Sequence, residues 1–515
     1  MSNVVSDFVS ALDKAGILFR IQNADHVDMA KSVSMVTYDS RTVVPGSIFI
    51  VKGAHFQPRF LHDAVSAGAL ACVIDQQMDS PQMSQAAGQV PMIFVTDIHR
   101  AIVLLGQLFY DHATDKLAAI GITGTKGKST VTYMMRAIES AWLTALGKPG
   151  PAILSSIKNY AGDEEEESHL TTPEPLEIYQ HFFQAQHHGI EHMVMEVSSQ
   201  ALKYGRVDGL TFDAVAFTNI GQDHISPSEH PDFEDYYTSK LSIFDHASRG
   251  VVNLDADLAQ RTLAYARERL ADVTTYGMLP EADMYCDPSS IRHEAGGYRF
   301  QVHTSAAIDA SYSGEYFVDL AGAFNVSNAL CAIALSAATH VPASYVRQGL
   351  ARVHVPGRME VFTSDDGKVV VIVDYAHNRL SFDAVMSGAQ NEYPGYDLLA
   401  VFGSAGGKAY DRRKDLPEVA SQYCSHVFIT EEDDYNEPFE SIAADLAAHM
   451  SVPYTIEYDR GECIRRAILD WPGKHVVLAL AKGVETTRAR GNEYVECPTD
   501  ADYAQRYLAE YNNRA

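Results

Sequence analysis

The chain has 515 residues, of which 46% are hydrophobic and 21% charged, and its formal net charge is −27. At roughly 100 to 200 residues per domain, this length predicts a folded protein of about three domains. The negative charge argues against a nucleic-acid surface or an anionic membrane surface. The first residues lack the features of a secretory signal, and no apolar run reaches the roughly 18 to 20 residues that span a bilayer. We therefore expect a cytoplasmic protein that does not insert into membranes.

Three sets of strand-like runs follow one another along the chain. Between Tyr38 and Thr96, the runs SIFIVKG, ACVID and PMIFVTD and the helical-looking FLHDAVSAGA indicate a small α/β unit. The second set contains LAAIGITG, HMVMEVSS and DAVAFTNI and closes at the helix-like NVSNALCAIALSAA. The third contains VVVIVDYAHN, LLAVFGSAGG, HVFITEEDD and VVLALAKG, and its continuous apolar runs favour buried parallel strands with functional loops at their carboxyl ends. The acidic segment GDEEEES, from Gly162 to Ser168, predicts a solvated loop.

The clearest local motif is a strand, a glycine-containing loop and a helix in succession, LAAIGITGTKGKSTVTYMMRAI. Apolar Val131, Met134, Met135 and Ile138 recur at helical spacing after the loop. Glycines let the backbone approach phosphates, the helix N-terminus presents unpaired N–H groups, the lysine adds a positive charge, and the serine offers a hydroxyl to Mg²⁺. The strict pattern G-x-x-x-x-G-K-[ST] is not met, because Ile122 stands at its first glycine. The candidate phosphate-binding residues are Gly124, Thr125, Lys126, Gly127, Lys128, Ser129 and Thr130.

Two further polar residues follow strand-like runs of the second set. Glu196 comes after the apolar MVM, and His224 lies just past DAVAF. In a parallel sheet both would stand at the same edge as the phosphate loop. A carboxylate and a neutral imidazole are suitable ligands for divalent ions that bridge a nucleotide and a substrate.

These motifs together resemble the Mur ligases of the MurE type. GTKGKST resembles the ATP loop of Mur ligases and of the related folylpolyglutamate synthetases, and EVSS, GRVDG and TNIGQDH resemble further MurE segments. YDSRTVVPGSIFIVKGAHFQ resembles their N-terminal uridine-nucleotide pocket, which folylpolyglutamate synthetases lack. The resemblance extends from about Met35 to about Glu510. It implies an α/β fold of three domains, with a central P-loop parallel sheet flanked by a small N-terminal α/β domain and a C-terminal Rossmann-like domain. The expected domains are 1–110 for UDP binding, 111–350 for ATP binding and 351–515 for amino-acid binding.

The resemblance implies an ATP- and Mg²⁺-dependent acid–amino-acid ligase of peptidoglycan precursor synthesis, which supports cell wall biogenesis, cell shape and cell division. In that family the terminal carboxylate of a UDP-N-acetylmuramoyl peptide attacks the γ-phosphorus of ATP, and the amine of a free amino acid then displaces phosphate from the acyl phosphate. The catalytic residues carried over are Lys128, Glu196, His224 and Lys240, and the metal ligands are Ser129, Glu196, His224 and carbamylated Lys240. From the residues alone, Lys240 in YYTSKLSIF would be a solvated helix residue.

The same resemblance assigns the substrate contacts. For the UDP group they are Ser40, His55, Phe56 and Gln57; for the muramoyl peptide, Thr171, Thr172, Ser198 and Arg206; and for the nucleotide, Asn325, Arg358 and Asp374. Leu170 stands where family members often have asparagine, and Tyr204 where they often have a contacting glutamine.

The amino-acid pocket departs from the family members that use meso-diaminopimelate. Those enzymes carry a D-N-P-R motif whose arginine holds a distal carboxylate, whereas the matching positions here are Asp433, Asp434, Tyr435 and Asn436. Asn436 stands in place of that arginine and Asp434 adds an acid. The loss of the arginine and the gain of an acid favour a side chain that ends in an ammonium, so we expect L-lysine first and L-ornithine next. The remaining pocket residues carried over are Lys408, Ala481 and Glu485.

Several alternatives stay open from the sequence. The same reaction could use L-ornithine or meso-diaminopimelate, or the chain could be a nucleotide-binding regulatory paralogue that has lost catalysis. The N-terminal pocket and EVSS disfavour a folate or polyglutamate ligase, and the absence of four clustered cysteines disfavours a MurT-like amidation partner. The expected partners are a UDP-N-acetylmuramoyl dipeptide and a free amino acid, with no nucleic acid, and we expect a monomer.

Overall fold

A computed structural model describes residues 3–26, 28–53, 56–223, 225, 229–294, 296–408, 410–491 and 493–514. The chain forms two compact units. The first contains Met1–Thr125, Leu143–Val252 and Leu258–Val273, and the second contains Lys126–Trp142, Asn253–Asp257 and Thr274–Ala515. Among the described residues, no helix is both long and apolar enough to cross a membrane.

The N-terminal part of the first unit is a five-stranded sheet with four helices. Its strands are β1 (Leu18–Gln22), β2 (Met35–Thr37), β3 (Ser47–Ile50), β4 (Ala71–Asp75) and β5 (Met92–Val95). Its helices are α1 (Val5–Lys14), α2 (Pro58–Ser66), α3 (Pro81–Ala87) and α4 (Ile98–Phe109). The strand order is β1-β5-β4-β3-β2, and β1 alone is antiparallel to its neighbour. This is the small α/β unit that the alternating runs predict.

The rest of the first unit surrounds the strand that leads into the phosphate loop. The strands here are β6 (Ala118–Thr123), β7 (Ala152–Leu154), β8 (Lys158–Tyr160), β9 (Glu166–Glu167), β10 (His192–Glu196), β11 (Ala214–Phe217) and β12 (Arg249–Asn253). The helices that begin in this stretch of sequence are α5 (Lys128–Ala145), α6 (Pro175–His187), α7 (Ser199–Lys203), α8 (Phe233–Leu241) and α9 (Ala259–Arg269). The strand order is β12-β11-β6-β10-β7-β8-β9, and β6 is parallel to both β10 and β11. The carboxyl ends of these three strands therefore meet at one edge.

The acidic segment GDEEEES is only in part the loop that the sequence predicts. Glu166 and Glu167 form β9, which pairs antiparallel with β8, and both residues are exposed. The predicted solvation is confirmed for these two residues, but the absence of secondary structure is wrong. An edge strand of two acids tolerates its charges because both side chains face water.

The second unit begins with a mainly antiparallel group of strands and two helices. They are β13 (Asp272–Gly277), β14 (Met284–Cys286), β15 (Arg292–Glu294), β16 (Gly297–Thr304), β17 (Gly314–Val318), α10 (Asn325–Ala338) and α11 (Ala343–Leu350). Strand β16 pairs with β14, β15 and β17. The residues Val131, Met134, Met135 and Ile138 of α5, predicted to share one helix face, are all buried in this unit.

The C-terminal part of the second unit is a six-stranded sheet with helices on both faces. Its strands are β18 (Glu360–Thr363), β19 (Val369–Asp374), β20 (Asp397–Phe402), β21 (His426–Ile429), β22 (Tyr454–Ile456) and β23 (His475–Leu480). Its helices are α12 (Arg379–Glu392), α13 (Arg412–Tyr423), α14 (Phe439–Ala447), α15 (Arg460–Leu469) and α16 (Asp500–Arg514), and β24 (Thr487–Arg490) forms a hairpin with β25 (Glu493–Glu496). The strand order is β18-β19-β23-β20-β21-β22, parallel from β19 onward.

The continuous apolar runs of this sheet have a direct structural reason. In β19, Val370 and Ile372 belong to one hydrophobic core, whereas Val369, Val371 and Val373 belong to the core on the opposite face. Successive side chains of a strand point to opposite faces, so a strand covered on both faces needs apolar residues at every position. The α/β class predicted from these runs is confirmed.

Candidate active site

The first half of the phosphate loop lies in the first unit and depends on a glycine. Gly124 follows β6 with a φ of +146°, and a Cβ built on it would lie 2.0 Å from Thr218 Oγ1. The N–H of Thr125 donates to the Asn219 carbonyl at 3.0 Å, and Thr125 Oγ1 lies 3.1 Å from Tyr236 Oη. Only glycine fits the first position, because any side chain would meet the neighbouring strand-end loop.

The second half of the loop lies in the second unit and has the same requirement. Gly127 has a φ of +83°, and a Cβ on it would lie 2.4 Å from Asn328 Oδ1. Helix α5 begins at Lys128, and the N–H of Val131 already donates to the Gly127 carbonyl. The first helical N–H groups thus have no carbonyl of their own helix to bind, which is the arrangement that suits a phosphate. The described loop therefore fits a nucleotide phosphate.

Glu196 ends β10 and is fully buried. Its Oε1 accepts hydrogen bonds from Ser156 N at 2.8 Å and from Ser156 Oγ at 3.1 Å. The hydroxyl of Thr172 donates to the Glu196 carbonyl at 2.9 Å and accepts from Ser198 N at 2.9 Å. Ser198 also caps α7, because its Oγ accepts from Ala201 N. The structure thus brings Thr172, Glu196 and Ser198 together, although their substrate and metal roles stay predictions.

Lys240 is 1% exposed, so its interpretation as a solvated helix residue is wrong. Its Nζ donates to the Gly124 carbonyl at 2.9 Å and lies 4.9 Å from the ring centre of Tyr236. Tyr236, Tyr237 and Leu241 share its buried helix face. The lysine amine therefore lies directly beside the phosphate loop, and its role as a metal ligand stays a prediction.

A group of opposite charges lies where the muramoyl contacts are expected. Arg206 donates to the Thr172 carbonyl at 3.0 Å and pairs with Glu174 at 2.9 Å, and Glu174 also pairs with Lys52. Lys52 lies 4.6 Å from the ring centre of Tyr38. Burial and the nearby acids raise the pKa of Tyr38, which keeps its hydroxyl protonated. Lys52 is a cation that the sequence motifs did not single out.

The other predicted contacts of the first unit have separate positions. The Phe56 ring packs against Phe49 and Phe60, with centroid distances of 6.1 and 5.8 Å, and Gln57 is the N-cap residue of α2. Ser40 and Thr171 are partly exposed. His55 and His224 lie outside the described residues. The assignment of these positions to substrate or metal stays a prediction.

In the second unit, Asp374 ends β19 and is nearly buried. Its two oxygens accept from Met359 N at 2.9 Å and from Ala376 N at 2.7 Å. Burial raises the pKa of this carboxyl, although the positive charges of Arg358 and Lys126 and the two backbone donors oppose the rise. The Arg358 guanidinium lies 4.5 Å from the ring centre of Tyr375. Lys126 of the phosphate loop, Arg358 and Asp374 thus act on one another electrostatically.

The acidic loop, Glu431–Asp434, follows β21 and contains four carboxyl groups of very different surroundings. Glu431 is buried and pairs with both Arg488 and Arg490. Asp433 accepts from Lys482 Nζ at 3.1 Å and from Ala489 N at 2.8 Å. Two of the four acids are therefore already neutralised by cations of the protein.

Lys482 links this loop to another predicted pocket residue. It is nearly buried and pairs with Glu485 as well as with Asp433. Burial lowers the pKa of Lys482, but the carboxylates of Glu485 and Asp433 outweigh burial and keep that pKa above its usual value. Tyr375 forms a hydrogen bond with Glu485. The predicted acids Asp433 and Glu485 thus hold a lysine of the chain itself.

The other two acids of the loop are less well compensated. Burial raises the pKa of Asp434 to about 6, and its Oδ1 is buried with no hydrogen-bond partner among the described residues. Burial and the neighbouring Asp433 raise the pKa of Glu432, while Lys482, Arg412 and Arg460 partly oppose this rise. Glu432 was not among the residues that the sequence motifs selected. The run of four acids was the available signal, but spacing does not show which of them remain unpaired.

The remaining predicted pocket residues surround the same loop. Lys408 Nζ lies 3.1 Å from Tyr435 Oη and 4.7 Å from the centre of that ring. Ala481 has a φ of +84°, and its N–H donates to the Asp374 carbonyl at 3.1 Å. Asn436 is exposed. Ala481 connects the ends of β19 and β23, and Lys408 lies beside the residue that follows the acidic loop.

The sequence matches known families along most of its length. The profile of the Mur ligase middle domain matches residues 122–336, and that of the Mur ligase, glutamate ligase domain matches residues 357–483. A relative named UDP-N-acetylmuramyl-tripeptide synthetase, from Latilactobacillus sakei subsp. sakei (strain 23K), is 35% identical over 92% of this chain and 93% of its own. A relative named UDP-N-acetylmuramoyl-L-alanyl-D-glutamate--L-lysine ligase, from Enterococcus faecalis (strain ATCC 700802 / V583), is 35% identical over 88% of this chain and 87% of its own.

This chain belongs to the Mur ligase family. It is accordingly an ATP-dependent ligase. A solved UDP-N-acetylmuramoyl-L-alanyl-D-glutamate--2,6-diaminopimelate ligase has a TM-score of 0.65 to this Mur ligase at 20% identity and covers 99% of both chains. Folylpolyglutamate synthase from Mycobacterium tuberculosis has a TM-score of 0.56 at 17% identity and covers 74% of this chain. These two likenesses establish the fold only, and they confirm the predicted Mur ligase architecture.

The donor groups of this Mur ligase determine whether a magnesium ion fits. Magnesium requires oxygen ligands, which Ser129 and Glu196 offer. The amine of Lys240 is not an oxygen ligand, and it becomes one only as a carbamate. The described part of the chain contains no group of three or more His, Cys, Asp and Glu side chains that could hold a metal ion. A hydroxyl and a carboxylate are thus ligand types that magnesium accepts, and the assignment of this set to the ion stays a prediction.

Proposed function

We propose that this Mur ligase adds L-lysine to UDP-N-acetylmuramoyl-L-alanyl-D-glutamate at the expense of ATP, as a step of peptidoglycan precursor synthesis. Relatives from Enterococcus faecalis and from three Streptococcus species carry the name of the L-lysine ligase at 32 to 35% identity over most of this chain. The observation that carries the choice of amino acid is the acidic loop, in which Glu432 and Asp434 form no ion pair among the described residues.

The reaction proceeds in two steps. An oxygen of the terminal substrate carboxylate attacks the γ-phosphorus of ATP, the bond to the β,γ-bridging oxygen breaks, and ADP leaves. The amine of the incoming amino acid then attacks the acyl carbon, loses a proton and expels phosphate. Lys128 and the first N–H groups of α5 bind the phosphates and offset the charge that gathers during transfer. Positioning and electrostatics supply most of the catalysis.

Magnesium is part of this proposal through Ser129, Glu196, His224 and carbamylated Lys240. Bound there, the ion would supply positive charge to the phosphoryl group. Lys240 contributes from its buried position beside Gly124, where a carbamate would offer the ion an oxygen ligand. Asn325, Arg358 and Asp374 are proposed to contact the nucleotide from the second unit.

The acidic loop supports a side chain that ends in an ammonium. Glu431, Asp433 and Glu485 are each paired with a cation of the chain, so Glu432 and Asp434 are the carboxyl groups left to receive the distal ammonium of lysine. The nearby arginines Arg488, Arg490, Arg413 and Arg460 are each paired with an acid, so they are poorly placed to bind the second carboxylate of meso-diaminopimelate. Arg412 is the cation best suited to the α-carboxylate of lysine, because it lies near Glu432 and forms no ion pair among the described residues.

The other expectations belong to the same proposal. The enzyme acts in the cytoplasm as a monomer and needs no nucleic acid. It binds a UDP-N-acetylmuramoyl dipeptide through Ser40, His55, Phe56, Gln57, Thr171, Thr172, Ser198 and Arg206. Lys52 joins this set, because it pairs with Glu174 beside Arg206.

The test is phosphate release with UDP-N-acetylmuramoyl-L-Ala-D-Glu, ATP and Mg²⁺, measured separately with L-lysine, L-ornithine and meso-diaminopimelate. Turnover with lysine above the other two supports the proposal. Preference for ornithine would support the ligase activity but indicate a pocket for a shorter side chain. Preference for meso-diaminopimelate would contradict the proposed role of the acidic loop. Nucleotide binding without turnover on any of the three would identify a regulatory paralogue.

A further inference from the structure

Glu392 joins the last turn of α12 to two other elements of the second unit. Its Oε1 accepts from the Tyr298 hydroxyl of β16 and from Gly322 N at 2.8 Å. Burial and the Glu392 carboxylate raise the pKa of Tyr298, so its hydroxyl remains a donor. One carboxylate oxygen thus binds a strand of the antiparallel group and the loop before α10.

That loop leads by hydrogen bonds to the phosphate loop. Asn325 Nδ2 donates to the Ala321 carbonyl at 2.7 Å, directly before Gly322, and Asn328 Nδ2 donates to Asn325 Oδ1 at 2.8 Å. Asn328 Oδ1 would lie 2.4 Å from a Cβ on Gly127. Hydrogen bonds and one peptide link thus connect Glu392 to Asn328, whose side chain leaves no room for a Cβ on the glycine that precedes Lys128.

We infer that Glu392 is a positioning residue for the nucleotide, because it binds the loop before α10, the helix that carries Asn325 and places Asn328 beside Gly127. Among the described residues, Glu392 forms no hydrogen bond with the phosphate loop or with the proposed nucleotide contact Asn325, so it acts through Gly322. This inference rests on the proposed nucleotide site. It deepens that proposal by connecting a residue of the C-terminal sheet to ATP binding.

The geometry distinguishes the shape of Glu392 from its charge. Both donors bind Oε1, while Oε2 is buried and has no hydrogen-bond partner in the described part of the chain. Glutamine keeps an acceptor at Oε1 and places its amide nitrogen where no donor is bound. Glu392→Gln is therefore expected to preserve the position of Gly322, whereas Glu392→Ala removes the acceptor that holds Gly322 in place.

The chain offers a matched control on the same helix. Asp383 of α12 accepts from the Tyr423 hydroxyl at 2.7 Å, which is also a tyrosine–carboxylate contact, but it is exposed and does not touch Gly322. Asp383→Asn and Tyr423→Phe thus remove a similar bond from α12 without disturbing the loop before α10.

The test is the dissociation constant of ADP by calorimetry, together with the KM for ATP and for L-lysine. Losing a hydrogen bond to a charged group is expected to raise the ADP dissociation constant of Glu392→Ala about tenfold. Tyr298→Phe, which keeps the bond to Gly322, is expected to raise it about threefold, and Glu392→Gln, Asp383→Asn and Tyr423→Phe less than about twofold. The KM for lysine and kcat should change less than the KM for ATP.

Several results would overturn the inference. They are unchanged ADP binding in both Glu392→Ala and Tyr298→Phe, or equal weakening in the Asp383 and Tyr423 controls. If Glu392→Ala does not fold, the test is the ADP dissociation constant of Tyr298→Phe compared with those of Asp383→Asn and Tyr423→Phe. Failure of the unaltered enzyme to bind ADP would instead refute the proposed nucleotide site, so the two failures are distinguishable.

Discussion

The phosphate loop and the acidic loop both follow a buried parallel strand, yet they differ in how they obtain their properties. The properties of the phosphate loop come from its backbone. Gly124 and Gly127 adopt conformations that favour glycine, and α5 begins directly after Gly127. The acidic loop works through side chains, and Lys482 and Arg488, which neutralise part of it, lie 49 and 57 residues from Asp433 and Glu431. A local motif therefore defines the first loop, whereas the charge of the second depends on distant residues.

The largest effect is expected at the phosphate loop. Lys128→Ala should lower amino-acid-dependent phosphate release about 10³-fold or more, because the charge proposed to offset that of the transferring phosphoryl group is removed. Lys148→Ala is the control, since Lys148 pairs with Glu191 at the surface. Retention of more than about a tenth of wild-type turnover by a folded Lys128→Ala enzyme would exclude this role.

The next effect concerns Lys482, the cation that pairs with Asp433 of the acidic loop. Lys482→Met should lower the free energy of unfolding by about 3 kcal/mol, because Asp433 and Glu485 would both remain near the core without their partner. Exposed Lys474→Met should change it by less than about 0.5 kcal/mol. Urea unfolding of both variants measures the difference, and equal stability would show that the buried pair contributes nothing.

A smaller effect is expected for Glu432, one of the two acids of the loop that form no ion pair among the described residues. Glu432→Gln should raise the KM for L-lysine about tenfold through loss of an ion pair with the distal ammonium, while the KM for ATP stays within about twofold. Exposed Glu440→Gln on α14 serves as the control. An unchanged lysine KM would remove Glu432 from the pocket.

The smallest effect concerns stability, which is expected to change in opposite directions when Asp434 and its neighbour Asp433 are replaced. The pKa of Asp434 is raised from 3.8 to about 6, so the folded state binds this proton more tightly than the unfolded state does. Its contribution to stability therefore falls as pH rises from 3.8 to about 6 and stays low above that window.

Asp434→Asn should accordingly raise the thermal midpoint at pH 7, by an amount that corresponds to about 1 kcal/mol after allowance for solvent screening, and raise it less at pH 4. Asp433→Asn should lower the midpoint at pH 7, because it removes the partner of Lys482. Two shifts of the same sign would contradict the distinction between the paired and the unpaired acid.

The elements of the fold could largely be predicted because their causes are local. Glycines before a helix, and apolar residues at every position of β19, restrict the chain without knowledge of distant contacts. The antiparallel group around β16 was not anticipated, because its strands carry mixed polar and apolar residues and pair with several partners.

Within the site, Lys240 shows a signal that was present in the sequence but was not used. It lies four residues after Tyr236 and next to Leu241, so it belongs to the apolar face of α8. Glu432 and Glu392 could not have been found in this way. The role of each residue depends on hydrogen-bond donors or cations that are distant in sequence, and a local sequence pattern does not show these partners.

We propose above that this Mur ligase selects a diamino acid whose side chain ends in an ammonium and carries no second carboxylate. The most direct test of this proposal is competition: the enzyme receives UDP-N-acetylmuramoyl-L-Ala-D-Glu, ATP, Mg²⁺ and equal concentrations of L-lysine, L-ornithine and meso-diaminopimelate, and mass spectrometry identifies the products. The account predicts that the lysine adduct predominates and that Glu432→Gln reduces its excess. Predominance of the meso-diaminopimelate adduct would contradict it.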